Sequence, residues 1–557
     1  MPVSIIKKRR LLKLLNTSIS DEELIELLSN IKVEAEILDE ESLQIEVTPD
    51  RLDLLISEGI ARELRGILGL EKGFPKYKTM KTNLKLMVDS NSNIKLIRPY
   101  IAVAAIYGYF VDEDALEELL QFQEKLNISM GRDRRKIAIG FYDLNKLNSK
   151  VIIYKAEEPG KIRYIPLGEE RILTANEILE LTDKGRKYGH LVKCFHKYPH
   201  LVTDKGQTLS MPPILNSEDT KVEVGTENLF IDITGTDEYT VNKTLDLITT
   251  TLAENAKYIG LIEVVNGETE YYTPKLENTI TRINLKYIRE NLGLHDLTLQ
   301  EVTKLLESLR HKVEVIDDET LNVISPPYRY DILHPIDVVE DVAIAIGYDN
   351  LKPELPRTFT IGRELKKTKY LRKVREIMVG LGFQEILTFT LSSSIMLKEM
   401  LEIKTAEYIE ILNPISPLYD TIRTSIIPNV VTFLKINQHE DHPIKVFEVG
   451  DTVEVVQGKP RMRTKLAAGM LSYKVGFEDI QAVLFSLADN LGLKIKLEEI
   501  GEPPKLFIKN RAAKVIIENE KRGIIGELNP QILLEKLGIE YPIAIFEIDL
   551  TNLWEKH

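Results

Sequence analysis

The stretch LQIEVTPDRLDLL, residues 43–55, returns as LNVISPPYRYDIL at residues 321–333, and both contain the same Pro-x-Arg-x-Asp corner. The similarity continues without gaps over residues 27–70 and 305–348, always at an offset of 278 residues. Two such copies far apart in one chain indicate a duplicated module within a mosaic of domains. The spacing excludes a tandem solenoid, in which each repeat packs only on its neighbours.

Each copy predicts the same small unit of helices and a hairpin. An amphipathic helix at 21–29, and again at 299–309, precedes alternating apolar residues that predict a β-hairpin closed by an acidic turn. After the corner, a second helix ends at Gly69 or Gly347, because glycine commonly terminates helices. The basic run at residues 7–10 is predicted to be the exposed start of a further helix.

The fold class that follows is multidomain α+β. The predicted domains are a first module at 1–71, an α/β domain at 72–278, a second module at 279–352 and a final domain at 353–557. Strand-like runs such as 100–107 and 229–233 fill the middle domain. The final domain opens with an amphipathic helix at about 364–380 and continues with strand-like runs, the first at 385–391, that suggest an antiparallel sheet.

Composition narrows the functional classes. No run of about 18 apolar residues exists, so no membrane span is expected, and the N-terminal order of charge and apolar residues does not fit a secretory signal. The single cysteine, Cys194, excludes an intramolecular disulfide and fits a reducing cytoplasm. A formal net charge of −13 makes the chain a poor binder of nucleic acid on its own. If RNA is a partner, other chains are expected to supply much of the positive field.

The second module contains an acidic cluster that admits two interpretations. Its members are Asp331, Asp337, Glu340 and Asp341. The last three fall on one face of a helix, and carboxylate oxygens are ligands that Mg²⁺ prefers. Alternatively, Asp337 is a helix N-cap with Glu340 at the third helical position, which is a capping box. The matching residues of the first copy are Asp53, Gly59, Arg62 and Glu63. The full acidic set is therefore not needed to build the module, and both interpretations stay open.

The middle domain offers weaker candidates. Asp232 and Thr234 lie two apart on a predicted strand that ends in glycine, a pattern found at pocket rims and also in ordinary loop hydrogen bonding. A superficially metal-like set comprises His190, Cys194, His196 and His200, whose spacing matches no standard zinc site. The densest basic cluster comprises Arg132, Arg134, Arg135 and Lys136, which form either a solvated face or a contact for an RNA backbone. No phosphate loop, dinucleotide fingerprint or nucleophile elbow is present.

Four ordered segments resemble one known family. Residues 46–66 are similar to the N-terminal module of archaeal and eukaryotic phenylalanyl-tRNA synthetase β chains, and residues 136–140 with 209–218 are similar to their editing domain. Residues 326–341, followed by Gly347-Tyr348-Asp349, resemble the second small module, and residues 445–451 resemble the catalytic-like domain. The resemblance covers nearly the whole chain.

The resemblance implies an α₂β₂ enzyme that joins phenylalanine to its tRNA with ATP, with the adenylation site in the smaller α chain. It implies that Asp331, Asp337, Glu340 and Asp341 bind Mg²⁺ near the subunit contact. It also implies an editing pocket that hydrolyses tyrosine misattached to the phenylalanine tRNA, and the residues that match it are Leu201, Ser210, Asp232 and Thr234. Such a pocket should hydrogen-bond the tyrosine hydroxyl, because an apolar site rejects an added hydroxyl only weakly.

The final domain resembles a class II synthetase core without the arginine-bearing ATP-binding motif, which implies a non-adenylating role. The chain departs from its relatives at Tyr142, where they commonly have histidine. Two other functions remain as alternatives. One is a non-enzymatic scaffold that keeps the fold without charging or editing, and the other is an independent Mg²⁺-dependent hydrolase that uses the acids of the second module.

Overall fold

The computed structural model describes residues 1–356, 358–402 and 407–555. Contacts divide the chain into two compact units, Met1–Leu355 and Pro356–His557. Both units mix helices with mostly antiparallel sheets, which confirms the multidomain α+β class. The four-domain division stays a prediction.

The first copy of the repeat is a three-stranded antiparallel sheet packed with three helices. Its elements are β1 (Val3–Lys7), α1 (Lys8–Leu15), α2 (Asp21–Asn30), β2 (Val33–Ile37), β3 (Ser42–Val47) and α3 (Ser57–Ile67), with strand order β1-β3-β2. The basic run at 7–10 is not an exposed helix start. Lys7 ends β1, and Arg10 is buried against the carboxylate of Glu58 because the helix packs on α3.

The middle region forms one ten-stranded sheet. Its elements are β4 (Thr79–Val88), α4 (Ile94–Ile97), β5 (Tyr100–Tyr107), α5 (Glu113–Ile128), β6 (Ile137–Asp143), β7 (Val151–Glu157), β8 (Arg163–Tyr164), β9 (Leu173–Thr174), α6 (Ala175–Leu181), α7 (Asp183–Tyr188), β10 (Tyr198–Thr203), β11 (Thr208–Met211), β12 (Leu215–Asn216), β13 (Asn228–Gly235), α8 (Glu238–Leu252), β14 (Tyr258–Asn266) and β15 (Thr269–Thr273). The strand order is β12-β11-β10-β7-β4-β14-β5-β13-β6, with β15 paired to β14, while β8 and β9 pair separately. Apolar residues of α5 and α8 cover one face of β13, and a second core lies on the opposite face.

The second copy repeats the first element by element. It comprises β16 (Thr279–Asn284), α9 (Leu285–Leu292), α10 (Leu299–Ser308), β17 (Lys312–Val315), β18 (Thr320–Ser325) and α11 (Pro335–Ile346), with strand order β16-β18-β17. The outer strand that precedes the first helix occurs in both copies. This strand was not predicted, because five or six residues give little periodicity.

The second unit is built on a seven-stranded sheet. Its elements are α12 (Lys366–Gly380), β19 (Gln384–Glu385), β20 (Leu391–Ser392), α13 (Ser394–Leu401), β21 (Thr421–Ile422), α14 (Ile427–Ile436), β22 (Ile444–Val456), β23 (Lys459–Leu471), α15 (Phe477–Leu491), β24 (Ile495–Glu499), β25 (Phe507–Ile517), β26 (Glu520–Leu528), a π-helical turn (Ile532–Leu537) and β27 (Ile543–Asp549). The order is β19-β22-β23-β27-β26-β25-β24, antiparallel except for β19 on β22. The prediction of a continuous strand at 385–391 was wrong, because β19 and β20 belong to different sheets.

Candidate functional site

A cavity of about 280 Å³ is lined by residues from both ends of the strand order of the ten-stranded sheet, β11 and β12 at one end and β13 and β6 at the other. Ser210 reaches it from β11, while Asp232 and Thr234 reach it from β13. Side chains two apart on a strand share a face, which is why both β13 residues line the same wall. Of the four residues that the resemblance implied, three therefore line one cavity. Leu201 does not line it: this buried residue lies on β10 directly opposite Ser210 and therefore packs beside it on the same face of the sheet.

Tyr142 connects the polar groups of this cavity. Its hydroxyl lies 2.9 Å from Ser210 Oγ and donates a short hydrogen bond to Asp232 Oδ1. The ring is fully buried on β6 and packs at 5.7 Å from the ring of Phe230. The sequence marked Tyr142 only as a departure from its relatives, and the structure places it at the centre of the site.

Burial controls the charges at this site. It raises the pKa of Asp232 to about 6, although the Tyr142 hydrogen bond and the Arg98 guanidinium act in the opposite direction. It also raises the pKa of Tyr142 well above its ordinary value, with the Asp232 carboxylate adding to the effect. Tyr142 is therefore a neutral hydrogen-bond donor at physiological pH. Asp232 titrates close to the range in which an enzyme works.

Glycine is required at position 140 by the closeness of these groups. A Cβ at Gly140 would lie 2.2 Å from Asp232 Oδ1 and 2.3 Å from the Tyr142 hydroxyl oxygen. Contacts that short force atoms apart, so any side chain at this position would break the Tyr142–Asp232 pair. The glycine therefore belongs to the site; the sequence placed it in a segment that resembles an editing domain but did not single it out.

Buried Arg98 holds the other polar residue of β13. Its Nε donates to Thr234 Oγ1 at 2.9 Å and its Nη2 donates to the Thr234 carbonyl at 2.8 Å. Burial lowers the pKa of Arg98 to about 10, so the guanidinium remains charged at neutral pH. Since Thr234 Oγ1 accepts this bond, its own hydrogen is free to donate towards the cavity. Sequence reasoning missed Arg98, which lies 136 residues from Thr234.

The basic cluster at 132–136 contributes a wall and a rim. Arg134 donates to the carbonyl of Ile214 at 2.8 Å, pairs with Glu124 at 3.0 Å and stacks on Tyr188. Lys184 pairs with the same glutamate and also lines the cavity. Arg132 and Arg135 are exposed beside it. Contact of this cluster with RNA stays a prediction. The guanidinium of Arg134 already bonds groups of the cavity wall.

The metal-like set of the middle domain does not form a site. His200 lies buried on β10, where its Nε2 bonds Thr208 Oγ1 at 3.0 Å. Cys194 is an exposed free thiol. Within the described residues, no group of three or more His, Cys, Asp or Glu side chains is placed to hold a metal ion.

The four acids of the second module have separate partners. Arg329 Nη2 donates to Asp331 at 2.7 Å and to Asp341 at 2.9 Å, and His311 Nε2 lies 2.7 Å from Asp341. Burial alone would raise the pKa of Asp341, but Arg329 and His311 together hold it well below its ordinary value. Asp331 and Asp341 thus serve as anions that neutralise a buried arginine.

The two remaining acids are used differently. Asp337 Oδ2 accepts the backbone N–H groups of Leu333 and His334 at 2.8 and 2.7 Å. The N-cap is His334 and Asp337 is the third helical residue, because the helix begins at Pro335, three residues earlier than predicted. Glu340 forms an ion pair with Lys32 at 3.1 Å. These four side chains do not fit a shared Mg²⁺ site in this arrangement, and Mg²⁺ binding stays a prediction.

Buried ion pairs also fill the face of the sheet in the second unit. Arg423 Nη1 donates to Glu448 at 2.6 Å, and both side chains are almost fully buried. Lys465 pairs with Glu547, which also accepts the Ser425 hydroxyl at 2.8 Å. These two buried cations are therefore already neutralised by the chain itself.

Comparison with known proteins identifies the family. A model described as "tRNA synthetase B5 domain" matches residues 281–348, and one described as "Phenylalanyl tRNA synthetase beta chain CLM domain" matches residues 351–550. The chain is 39% identical over 550 residues to a phenylalanine–tRNA ligase β subunit of Saccharolobus solfataricus, covering 98% of both chains. The chain belongs to the phenylalanine–tRNA ligase β-subunit family.

Further relatives agree with this family. A phenylalanine–tRNA ligase β subunit of Sulfurisphaera tokodaii is 40% identical over 556 residues, covering 99% of both chains. A crystal structure of an N-terminal fragment of the phenylalanyl-tRNA synthetase β subunit of Pyrococcus horikoshii is similar with a TM-score of 0.59 and 38% identity, covering 62% of this chain and all of the fragment. The protein is thus a subunit of an aminoacyl-tRNA ligase of protein biosynthesis. No helix in the described part of the chain is long and apolar enough to cross a membrane.

Proposed function

We propose that the cavity around Asp232 is an editing pocket that hydrolyses tyrosine from mischarged phenylalanine tRNA. The observation that carries this proposal is the convergence of Ser210, Asp232 and Thr234, from two strands, on one cavity of about 280 Å³. That volume is near the lower end of small-ligand pockets, which span roughly 300–1,000 Å³, and suits one amino-acid side chain.

The polar lining supports selection of tyrosine over phenylalanine. A buried acceptor such as Asp232 gains a hydrogen bond from a phenol and gains none from a phenyl ring. A pocket of this kind separates the two amino acids far better than an apolar pocket that must exclude a hydroxyl. Hydrolysis adds the oxygen of water to the ester carbonyl carbon, breaks the bond to the ribose oxygen and passes a proton to that oxygen. The Thr234 hydroxyl and the Ser210 oxygen are the groups proposed to position this water.

The test measures release of tyrosine from Tyr-tRNA(Phe) by the enzyme assembled with its α chain. The Asp232→Asn variant keeps the shape of the side chain and removes its charge, and we expect it to lower the hydrolysis rate at least tenfold. Asp246→Asn is a matched control, because Asp246 is another largely buried aspartate whose pKa is about 6 and which lies outside this cavity. Hydrolysis unaffected by Asp232→Asn, or equally affected by both changes, would refute the editing proposal.

We further propose that the chain supports ATP-dependent charging of tRNA(Phe) by an α chain that holds the adenylation site, in an α₂β₂ assembly in the cytoplasm. The ion pairs Arg423–Glu448 and Lys465–Glu547 support adenylation by the α chain, because these two cations are already paired with carboxylates and so are not free to bind the phosphates of a nucleotide. The domain functions implied by the resemblance are part of the same proposal: modules at 1–71 and 279–352, an editing domain at 72–278 and a class II-like domain at 353–557. Phenylalanine charging by α with and without this chain tests it; full charging by α alone would refute it and favour a scaffold.

An exposed apolar groove of about 350 Å³ in the second unit is the proposed contact for the α chain. Its walls include Leu387, Phe389 and Leu418, which are 91%, 69% and 68% exposed, respectively. Side chains this apolar seldom cluster on the surface of a chain that acts alone. We expect Phe389→Asp to abolish co-elution with α on gel filtration, and Met462→Asp, an exposed apolar residue outside the groove, to preserve it. Co-elution that survives Phe389→Asp would place the contact elsewhere.

A further inference from the structure

The position of Tyr142 sets the direction of the hydrogen bonds that link Ser210 to Asp232. Its hydroxyl has one hydrogen and lies within bonding distance of both Ser210 Oγ and Asp232 Oδ1. An ionised carboxylate only accepts, so the Tyr142 hydrogen points to Asp232, and the Ser210 hydroxyl must donate to Tyr142. The result is a relay that runs from Ser210 through Tyr142 to Asp232, in which each bond polarises the next.

This relay leaves two acceptors for a ligand. Asp232 Oδ2 accepts no hydrogen bond from any residue that the structure describes, while Oδ1 is occupied by Tyr142. The Ser210 hydroxyl donates its hydrogen to Tyr142, so the Ser210 oxygen can still accept a hydrogen bond through its lone pairs. Both residues line the cavity. Gly140 leaves the space that the Tyr142 hydroxyl and Oδ1 occupy, and the hydrogen bond between these two groups holds the carboxylate in its orientation.

We infer that Tyr142 is a positioning residue that determines specificity: its hydroxyl fixes the Asp232 carboxylate so that Oδ2 accepts the phenol hydroxyl of a tyrosyl group. The inference rests on the proposed editing function and adds the origin of its selectivity. One carboxylate then binds two phenols, Tyr142 of the chain through Oδ1 and the tyrosyl side chain through Oδ2. A phenylalanyl group of nearly the same size leaves Oδ2 buried without a donor, which is unfavourable.

Among the described residues, the titratable groups that interact with Asp232 are Tyr142 on β6, Arg98 directly after α4 and Tyr154 on β7. The other charged side chains that line the same cavity are Glu124, Arg134 and Lys184, which pair with one another. Burial raises the pKa of Asp232, whereas the Tyr142 bond lowers it, so loss of that bond should move the titration of Asp232 to higher pH. The pH dependence of hydrolysis therefore reports on Tyr142 separately from its contribution to folding.

The experiment compares hydrolysis of Tyr-tRNA(Phe) and Phe-tRNA(Phe) by the assembled enzyme from pH 5 to 8. We expect Tyr142→Phe to lower kcat/KM for Tyr-tRNA(Phe) about 10- to 100-fold, the effect of one lost buried hydrogen bond to a charged group. Phe-tRNA(Phe) hydrolysis should change little, and the rise of the rate with pH should shift to higher pH. Tyr109→Phe is the control, because this buried tyrosine also donates to a carboxylate, that of Glu58, and lies outside the cavity.

The outcomes separate the inference from the proposed function. Wild-type enzyme that does not hydrolyse Tyr-tRNA(Phe) refutes the editing proposal itself. If the wild-type enzyme hydrolyses Tyr-tRNA(Phe) and the Tyr142→Phe variant keeps the same selectivity and pH profile, the inference is overturned and the editing proposal stays intact. Wild type also provides a test that needs no folded variant: the Tyr-to-Phe hydrolysis ratio should rise with pH around pH 6. A ratio that is constant from pH 5 to 8 overturns the inference as well.

Discussion

Replacement of Arg329 by methionine tests whether the acids of the second module are structural anions. Arg329 is 2% exposed and bonds both Asp331 and Asp341, which are 10% and 3% exposed. Methionine fills much of the same volume without the charge. The change removes the cation that bonds both carboxylates directly, and leaves His311 at 2.7 Å from Asp341 and the more distant charge of Arg51.

The expected cost follows from the loss of one partner in a buried ion pair. Such losses destabilise proteins by roughly 3–5 kcal/mol, because the remaining charge is desolvated and uncompensated. At about 1.4 kcal/mol per tenfold, amide hydrogens of β18 and α11 should exchange roughly two to three and a half orders of magnitude faster. The folded pKa of Asp341 lies below its unfolded value near 3.9, so the stabilisation is present above that value and is lost as the pH falls. The difference between wild type and variant should therefore shrink in acid.

Hydrogen exchange measured by mass spectrometry on the full chain is the suitable assay, because it reports on the second module without requiring two-state unfolding. Arg282→Met, a change at an exposed arginine of β16, should leave exchange unaffected. Adding Asp331→Asn and Asp341→Asn to Arg329→Met should recover part of the protection, since no unpaired charge remains. A loss of protection below tenfold would contradict the structural role of these acids.

Three further predictions concern the pocket and the metal. Gly140→Ala should destabilise the chain by about 1–3 kcal/mol and lower its Tm, because its Cβ overlaps Asp232 and Tyr142, whereas Gly160→Ala, which has open space, should not. Asp232→Asn should stabilise the chain by on the order of 3 kcal/mol at pH 8 in denaturant titrations, because the folded pKa of Asp232, about 6, exceeds the ordinary 3.8. The stability that the protonated Asp232 contributes is lost as the pH rises through 6, so variant and wild type should not differ below about pH 4. Millimolar Mg²⁺ should leave hydrogen exchange of α11 in the free chain unchanged, because the acids of the second module already have other partners; Mg²⁺-dependent protection of α11 would contradict this.

Local sequence patterns predicted the elements of the repeat but not their long-range contacts. The helix at 299–309 and the hairpin that follows agree with α10, β17 and β18 to within a residue or two. Arg10, in contrast, was expected at the surface, and its burial depends on Glu58, 48 residues away. Charge runs are exposed by default, and only the packing of α1 on α3 reverses that expectation.

The pocket shows the same limit. Asp232 and Thr234 were predicted because they share one strand face, a local property. Tyr142 and Arg98 bond them across 90 and 136 residues, and no periodicity encodes such pairs. The error at 385–391 has a different cause: its apolar residues suggested one strand of the sheet, whereas Leu387 is 91% exposed and lines the groove proposed for the α chain.

The duplication also explains how the acids of the second module divide. Asp331 and Asp341 match Asp53 and Glu63 of the first copy, and in both copies these positions pair with the corner arginine, Arg329 or Arg51.

The other two acids have no acidic counterpart, because the first copy has Gly59 and Arg62 there. Arg62 Nη2 reaches Asp53 at 2.8 Å and its guanidinium lies 3.4 Å from the centre of the Tyr328 ring, so this position joins the two copies. Glu340, at the matching position, likewise reaches the other copy through Lys32. The shared positions therefore neutralise the corner arginine, and position 340 contributes to the contact between copies. Of the four acids, Asp337 alone has a role confined to its own helix, which is why the repeat does not by itself argue for a metal.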